Sequence, residues 1–95
     1  MKSKLNICVD GTKEWKNYKR ELHREDGPAV EYVDGDKCWY QHSQPHRIDG
    51  PAIDWQDLKE WYIDGKLHRI GGPAQEFDDG TKRWYKNDRL YIQTL

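Results

Sequence analysis

The chain is poor in the residues that build most hydrophobic cores: Leu, Ile, Val and Phe together fill 16 of its 95 positions. Such a deficit excludes a folded domain when it comes with a large net charge. Here the formal net charge is −1, from 16 Lys and Arg against 17 Asp and Glu. The balance removes that objection and also any electrostatic reason for a phosphate backbone as main partner, so generic nucleic-acid binding is not expected. No apolar run is longer than about five residues, as in "LNICV", too short for a signal-peptide core or a membrane span. A soluble cytoplasmic protein with no membrane partner is the expectation.

Catalytic equipment is sparse as well. Ser3 and Ser43 are the serines, and neither lies in a nucleophile-elbow context. Gly71-Gly72 runs into Pro73 instead of opening a phosphate loop, and the carboxylate pair Asp78-Asp79 lies in an expected turn. The thiols Cys8 and Cys38 lack C-x-x-C or metal-ligand spacing. They read most simply as reduced, with a disulfide between them as the alternative. Neither an enzyme nor a cofactor is expected.

What the chain does have is five Trp and six Tyr. Each such ring buries about 150–250 Å², which makes an aromatic core the route to a single small domain. The order of the residues is periodic. "LHREDGPAVEYVDG" from Leu22 is echoed by "PHRIDGPAIDWQDL" from Pro45 and "LHRIGGPAQEFDDG" from Leu67. His23, His46 and His68 each precede a proline, Pro28, Pro51 and Pro73, by five residues, and Trp15, Trp39, Trp61 and Trp84 keep the same beat. The chain divides into a half-copy at 5–19, copies at 20–41, 42–63 and 64–86, and a terminal half-copy at 87–95. A period of this length marks supersecondary units that bury their faces only against neighbours.

Asp10-Gly11, Asp34-Gly35 and Asp79-Gly80 punctuate short β-branched and aromatic runs, a strong hairpin signal. Further turns fall at 63–66 and 86–88, and each Gly-Pro breaks any strand crossing it. The fold expected is all-β: an antiparallel meander of about seven to nine short strands in one curved or coiled sheet. Equivalent residues of successive hairpins then stand roughly 10 Å apart, so His23, His46 and His68 cannot converge on one metal ion.

The stretches Leu22–Ala29, Gly65–His68 and Asp79–Tyr85 resemble the H-R-x-D-G-P-A repeats of small accessory proteins from tailed bacteriophages, which look like relatives of the MORN repeat. The resemblance spans roughly residues 8 to 92, with the His to Asp-Gly interval about two residues longer than in a MORN unit. It implies a MORN-like hairpin stack that binds a partner and does not catalyse.

His23-Arg24, His46-Arg47 and His68-Arg69 have two readings: a cation ladder that grips phosphate or carboxylate, or a repeated structural corner closed by the Asp before Gly-Pro. Rigid spacing favours the corner. Trp39-Tyr40, Trp61-Tyr62 and Trp84-Tyr85 put Trp and Tyr on opposite faces. Trp, present in every copy, is expected on the buried side with Tyr32, Trp55 and Phe77, leaving Tyr40, Tyr62 and Tyr85 as a candidate binding stripe. Departures from the repeat fall at Pro45, Leu58 (aligned with the Gly of Asp-Gly), Gly71 and Tyr91-Ile92, where partner-specific contacts are expected to concentrate. The function expected is a non-catalytic binding protein, a phage accessory or counter-defence inhibitor that occludes a host protein. Two alternatives stand beside it: sequestration of a nucleotide-like ligand, and a structural spacer. Exposed edge strands offer a second route, through strand addition or self-association.

Overall fold

The computed structural model describes residues 3–94; Met1, Lys2 and Leu95, the last residue of the terminal half-copy, lie outside them. The hairpin β1 (Lys4–Ile7) and β2 (Lys13–Lys16) is followed by β3 (Val30–Glu31) and β4 (Lys37–Cys38). A small hairpin, β5 (Tyr40–Gln41) with β6 (Gln44–Pro45), then leaves the sheet, and the chain rejoins it as β7 (Ile53–Asp54) and β8 (Leu58–Glu60). A second small hairpin, β9 (Tyr62–Ile63) with β10 (Lys66–Leu67), precedes β11 (Gln75–Phe77), β12 (Lys82–Lys86) and β13 (Arg89–Thr94). Nine strands make one antiparallel sheet in the order β1-β2-β3-β4-β7-β8-β11-β12-β13, with no helix among the described residues. The molecule measures 39 × 26 × 17 Å. Its long axis matches nine strands at the usual spacing of about 4.8 Å.

The strands fork at tryptophan. Cys38 still pairs within the large sheet, with Ile53, whereas Tyr40, two residues on, pairs with Pro45 in the small hairpin. Trp39 joins the two: its N–H donates to the Ala52 carbonyl at 2.7 Å and its own carbonyl accepts the His46 N–H at 3.0 Å. Trp15 and Trp61 repeat this with Ala29 and His23, and with Ala74 and His68. Each copy therefore feeds two ladders from one strand, which explains the small hairpins that a simple meander lacks.

Two turn chemistries recur. The small hairpins and β12-β13 close on residue pairs with both φ angles positive: His42-Ser43 (50° and 61°), Asp64-Gly65 (50° and 80°) and Asn87-Asp88 (50° and 68°). That is the twist antiparallel hairpins favour. At the other end of the sheet the Asp-Gly tips close with glycine at φ near 95° and an Asp carboxylate accepting the N–H two residues on, as in Asp10 to Thr12 and Asp79 to Thr81, both 2.9 Å. Those bonds hold the carboxyls of Asp10 and Asp79 below the ordinary range.

The middle tip differs. Tyr32 and Phe77 donate their N–H to carbonyls four residues ahead, Asp36 and Thr81, whereas Trp55 donates to Leu58, three ahead. Leu58 thus occupies the place of Asp36 and Thr81, not that of the Asp-Gly glycine with which the sequence aligns it. The shorter tip is braced by its neighbour: Gln56 donates its N–H to Asp36 and its side-chain amide to the Asp34 carbonyl.

Val30, Cys38 and Ile53 form the buried cluster, with Leu22, Tyr40, Trp55 and Tyr62 packed against it. Trp55 donates its indole N–H to the Cys38 sulfur at 3.3 Å. Both cysteines are free thiols, Cys38 buried and Cys8 half-buried. Ala29, Ala52 and Ala74 have no exposed surface at all.

The expected assignment of faces is corrected: both ladders are half-buried, and it is Tyr40 and Tyr62, not Trp39 and Trp61, that pack against the buried cluster. Cys38 and Tyr40 share a strand face and line the core, so Trp39 between them points to the other side. Tyr40, Tyr62 and Tyr85 are half-buried and make no exposed stripe. Burial raises the phenols of Tyr40 and Tyr62 above the usual tyrosine range, and Glu60 beside the Tyr62 hydroxyl adds to its shift.

Candidate functional site

On the tryptophan side each copy builds one corner. The guanidinium carbon of Arg24 lies 3.9 Å from the centre of the Trp15 ring, that of Arg47 3.7 Å from Trp39, and that of Arg69 3.8 Å from Trp61. Behind each guanidinium sits the glycine of Gly-Pro-Ala. A Cβ on Gly27, Gly50 or Gly72 would meet the Arg Cζ at 3.0, 2.8 and 2.8 Å. The cation is held between an indole face and a glycine, where an added Cβ would push the guanidinium from its place.

Hydrogen bonds fix it further. Each Arg Nη1 donates to the proline carbonyl of its own corner, Pro28, Pro51 or Pro73, at 3.0–3.1 Å. Arg24 and Arg47 also donate Nε to Asp26 and Asp49. Arg69 has Gly71 at that place and relies on Glu76, as Arg24 does in part on Glu31. In the middle copy the matching acid, Asp54, is bound by Lys59 at 2.6 Å instead. These guanidinium groups are largely engaged inside their own corners.

The histidines tie each corner to the next copy. His23, His46 and His68 accept, through Nδ1, the backbone N–H of His42, Asp64 and Asn87, the first residue of each positive-φ turn. A lone pair on Nδ1 places the ring proton of the neutral imidazole on Nε2. Replacing His46 with Ala should cost about 1 kcal/mol in chemical unfolding, whereas His46→Asn should recover most of it, because Oδ1 of Asn stands where Nδ1 stood. Equal losses for both variants would contradict the capping role.

Trp84 closes no such corner. Its cross-strand partner is Ile92, because the terminal copy carries Tyr91-Ile92 in place of His-Arg. The register shifts beside Tyr91, which lies in a bulge of an edge strand exposed along its whole length. Pro45 pairs with Tyr40 inside the first small hairpin, and Leu58 faces Phe77 across the sheet. The irregular positions are therefore dispersed over the molecule and form no common surface.

The surface that does form is the row of corners. Between the first two lies a groove of about 650 Å³ lined by Arg24, Trp39, His46 and Arg47; between the next two lies one of about 620 Å³ lined by Arg47, Trp61, Ile63 and Arg69. The rims carry the variable residue of H-R-x-D-G-P-A, which is Glu25, then Ile48, then Ile70. Ile48 and Ile70 are each 84% exposed. Sequence reasoning passed over them, although their signal was present as a corner position that changes from an acid to isoleucine between copies.

Charge is also segregated along the slab. Residues 24–79 carry thirteen Asp and Glu against six Lys and Arg, residues 1–23 three against six, and residues 80–95 one against four. The middle of the sheet is acidic and both of its ends are basic, while the corners themselves balance Glu25, Asp26 and Asp49 against Arg24, Arg47 and Arg69. Among the described residues no group of three or more His, Cys, Asp or Glu is placed to hold a metal ion, and no helix is long and apolar enough to cross a membrane. No protein-family model matches the chain, nor does any curated protein or solved structure.

Proposed function

We propose that this chain is a non-catalytic protein-binding module whose corner row covers a functional surface of a partner protein. The phage accessory or counter-defence role implied by the H-R-x-D-G-P-A resemblance gives the setting: the host cytoplasm and a host protein as target. The observation that carries the reading is the pair of isoleucines, Ile48 and Ile70, standing almost fully exposed on the rims of adjacent grooves. Apolar side chains held on a rigid repeated frame are suited to act as anchors, because the frame has little order left to lose on binding. Glu25, Asp26 and Asp49 stand exposed beside these anchors and offer carboxylates to polar groups of the target, although Asp26 and Asp49 also pair with Arg24 and Arg47.

Sequestration of a nucleotide-like ligand is the second reading, favoured by groove volumes within the usual ligand range of about 300–1,000 Å³. It is the weaker one, since Arg24, Arg47 and Arg69 already donate to proline carbonyls and carboxylates.

The test is affinity capture from host lysate with the wild type and with Ile48→Asp/Ile70→Asp, followed by mass spectrometry of bound proteins and released small molecules. Both residues are exposed, so the variant should melt with the wild type while losing its protein partner by about ten-fold or more. Undiminished capture by the variant rejects the corner row as the interface. A nucleotide released from the wild type supports the second reading.

A further inference from the structure

A second surface, away from the corner row, lies at the first edge of the sheet. β1 is regular, with all four residues exposed and paired with β2 from Lys4↔Lys16 to Ile7↔Lys13 without a bulge. Cys8 donates its N–H to the Thr12 carbonyl at 2.8 Å, which fixes the alternation. Asn6 and Lys4 turn their backbone groups toward β2, and Leu5 and Ile7 turn theirs outward. Such an edge is a template for another strand.

Its surroundings select the strand. Lys4, Leu5, Lys16, Tyr18 and Arg20 line a groove of about 560 Å³ beside the edge. Tyr18 is 74% exposed, Ile7 61% and Leu5 48%. Lys16 is 3.6 Å from Glu14, while among the described residues no carboxylate is within ion-pair distance of Lys4 or Arg20. A second copy is a poor occupant. Pairing β1 with itself brings Lys4, Lys13 and Lys16 of two molecules together, and pairing β1 with β13 sets one basic end against the other. β13 is in addition bulged beside Tyr91.

We infer that β1 is a docking edge for an extended acidic segment of a partner protein, added as a tenth strand, with its backbone on Leu5 and Ile7 and its carboxylates against Lys4, Lys16 and Arg20. Main-chain bonds supply the attachment and the cations select the sequence. This inference is independent of the corner row and of its isoleucine anchors.

The probe is a fluorescein-labelled peptide alternating Glu with Val, titrated by anisotropy into the full chain beside a Lys-Val peptide of the same length and a single-stranded oligonucleotide. The Glu-Val peptide should bind about ten-fold or more tighter than the Lys-Val peptide and weaken as salt rises. Lys4→Glu/Arg20→Glu should remove that preference, and Leu5→Pro, which deletes an outward N–H, should lower the affinity about ten-fold. Should Leu5→Pro fail to fold, amide exchange of the wild type decides: bound peptide should slow the Ile7 amide about ten-fold. Equal binding of both peptides, tighter binding of the oligonucleotide, an unprotected Ile7 amide, or a dimer that Leu5→Pro dissociates each overturns the proposal.

Discussion

Arg47→Ala is expected to destabilise the protein by about 3 kcal/mol in urea or thermal unfolding, more than most surface changes to arginine. The guanidinium lies 3.7 Å from the Trp39 ring and donates to the Pro51 carbonyl at 3.1 Å and to Asp49 at 3.0 Å. With 22% of the side chain exposed, it is sheltered enough for the stacked contact to be worth about 1–2 kcal/mol, and the carbonyl left without its donor costs about 1 kcal/mol more. Arg47→Lys keeps the charge but loses the planar fork, so it should recover less than half. The same geometry predicts non-additivity. Gly50→Ala alone forces the guanidinium away from a Cβ that would stand 2.8 Å from Cζ, yet in the Arg47→Ala background nothing remains to displace. A double-mutant cycle should therefore return a coupling of about 1 kcal/mol or more. Simple additivity would mean that glycine is present at this position for another reason.

Ala52→Leu is expected to be as damaging or worse, about 3 kcal/mol or more. Ala52 has no exposed surface, and its carbonyl accepts the Trp39 N–H at 2.7 Å, so its backbone cannot retreat to admit three more carbons. Because each copy leans on its neighbours, the damage should spread. The near-ultraviolet circular dichroism of the stacked tryptophans should fall together with the melting temperature, whereas Ala52→Gly should alter both only slightly. A Leu variant that melts with the wild type would show that the fork at Trp39 is looser than its hydrogen bonds imply.

Corner chemistry was half legible in the sequence. Constant His-to-Pro spacing marked a structural unit, and the Asp two residues after Arg marked the carboxylate that Arg24 and Arg47 use. The stacking of Arg on Trp was not legible, because the partners are nine residues apart in Arg24 and Trp15 and eight apart in the other two pairs, and they meet only after the strand has forked. The charge pattern was hidden in a similar way. A net charge of −1 conceals an acidic middle between two basic ends, and its meaning depends on the strand order that places residues 1–23 and 80–95 at opposite edges.

By itself the sequence determined what depends on near neighbours along the chain: the 22–23-residue period, the all-β character, the Asp-Gly tips and the glycine-proline corners. Turn preference, strand alternation and the missing N–H of proline act over a few residues, and copying them along the chain repeats the outcome. Tertiary structure alone decided which aromatic faces the core, where the copies part into large and small ladders, and which variable residues stand exposed. Those outcomes follow from how adjacent copies close on one another. Tyr40 and Tyr62 went to the core because the Val30, Cys38 and Ile53 cluster lies on their side of the sheet, and Trp39 and Trp61 went to the side where an arginine from the next copy covers them.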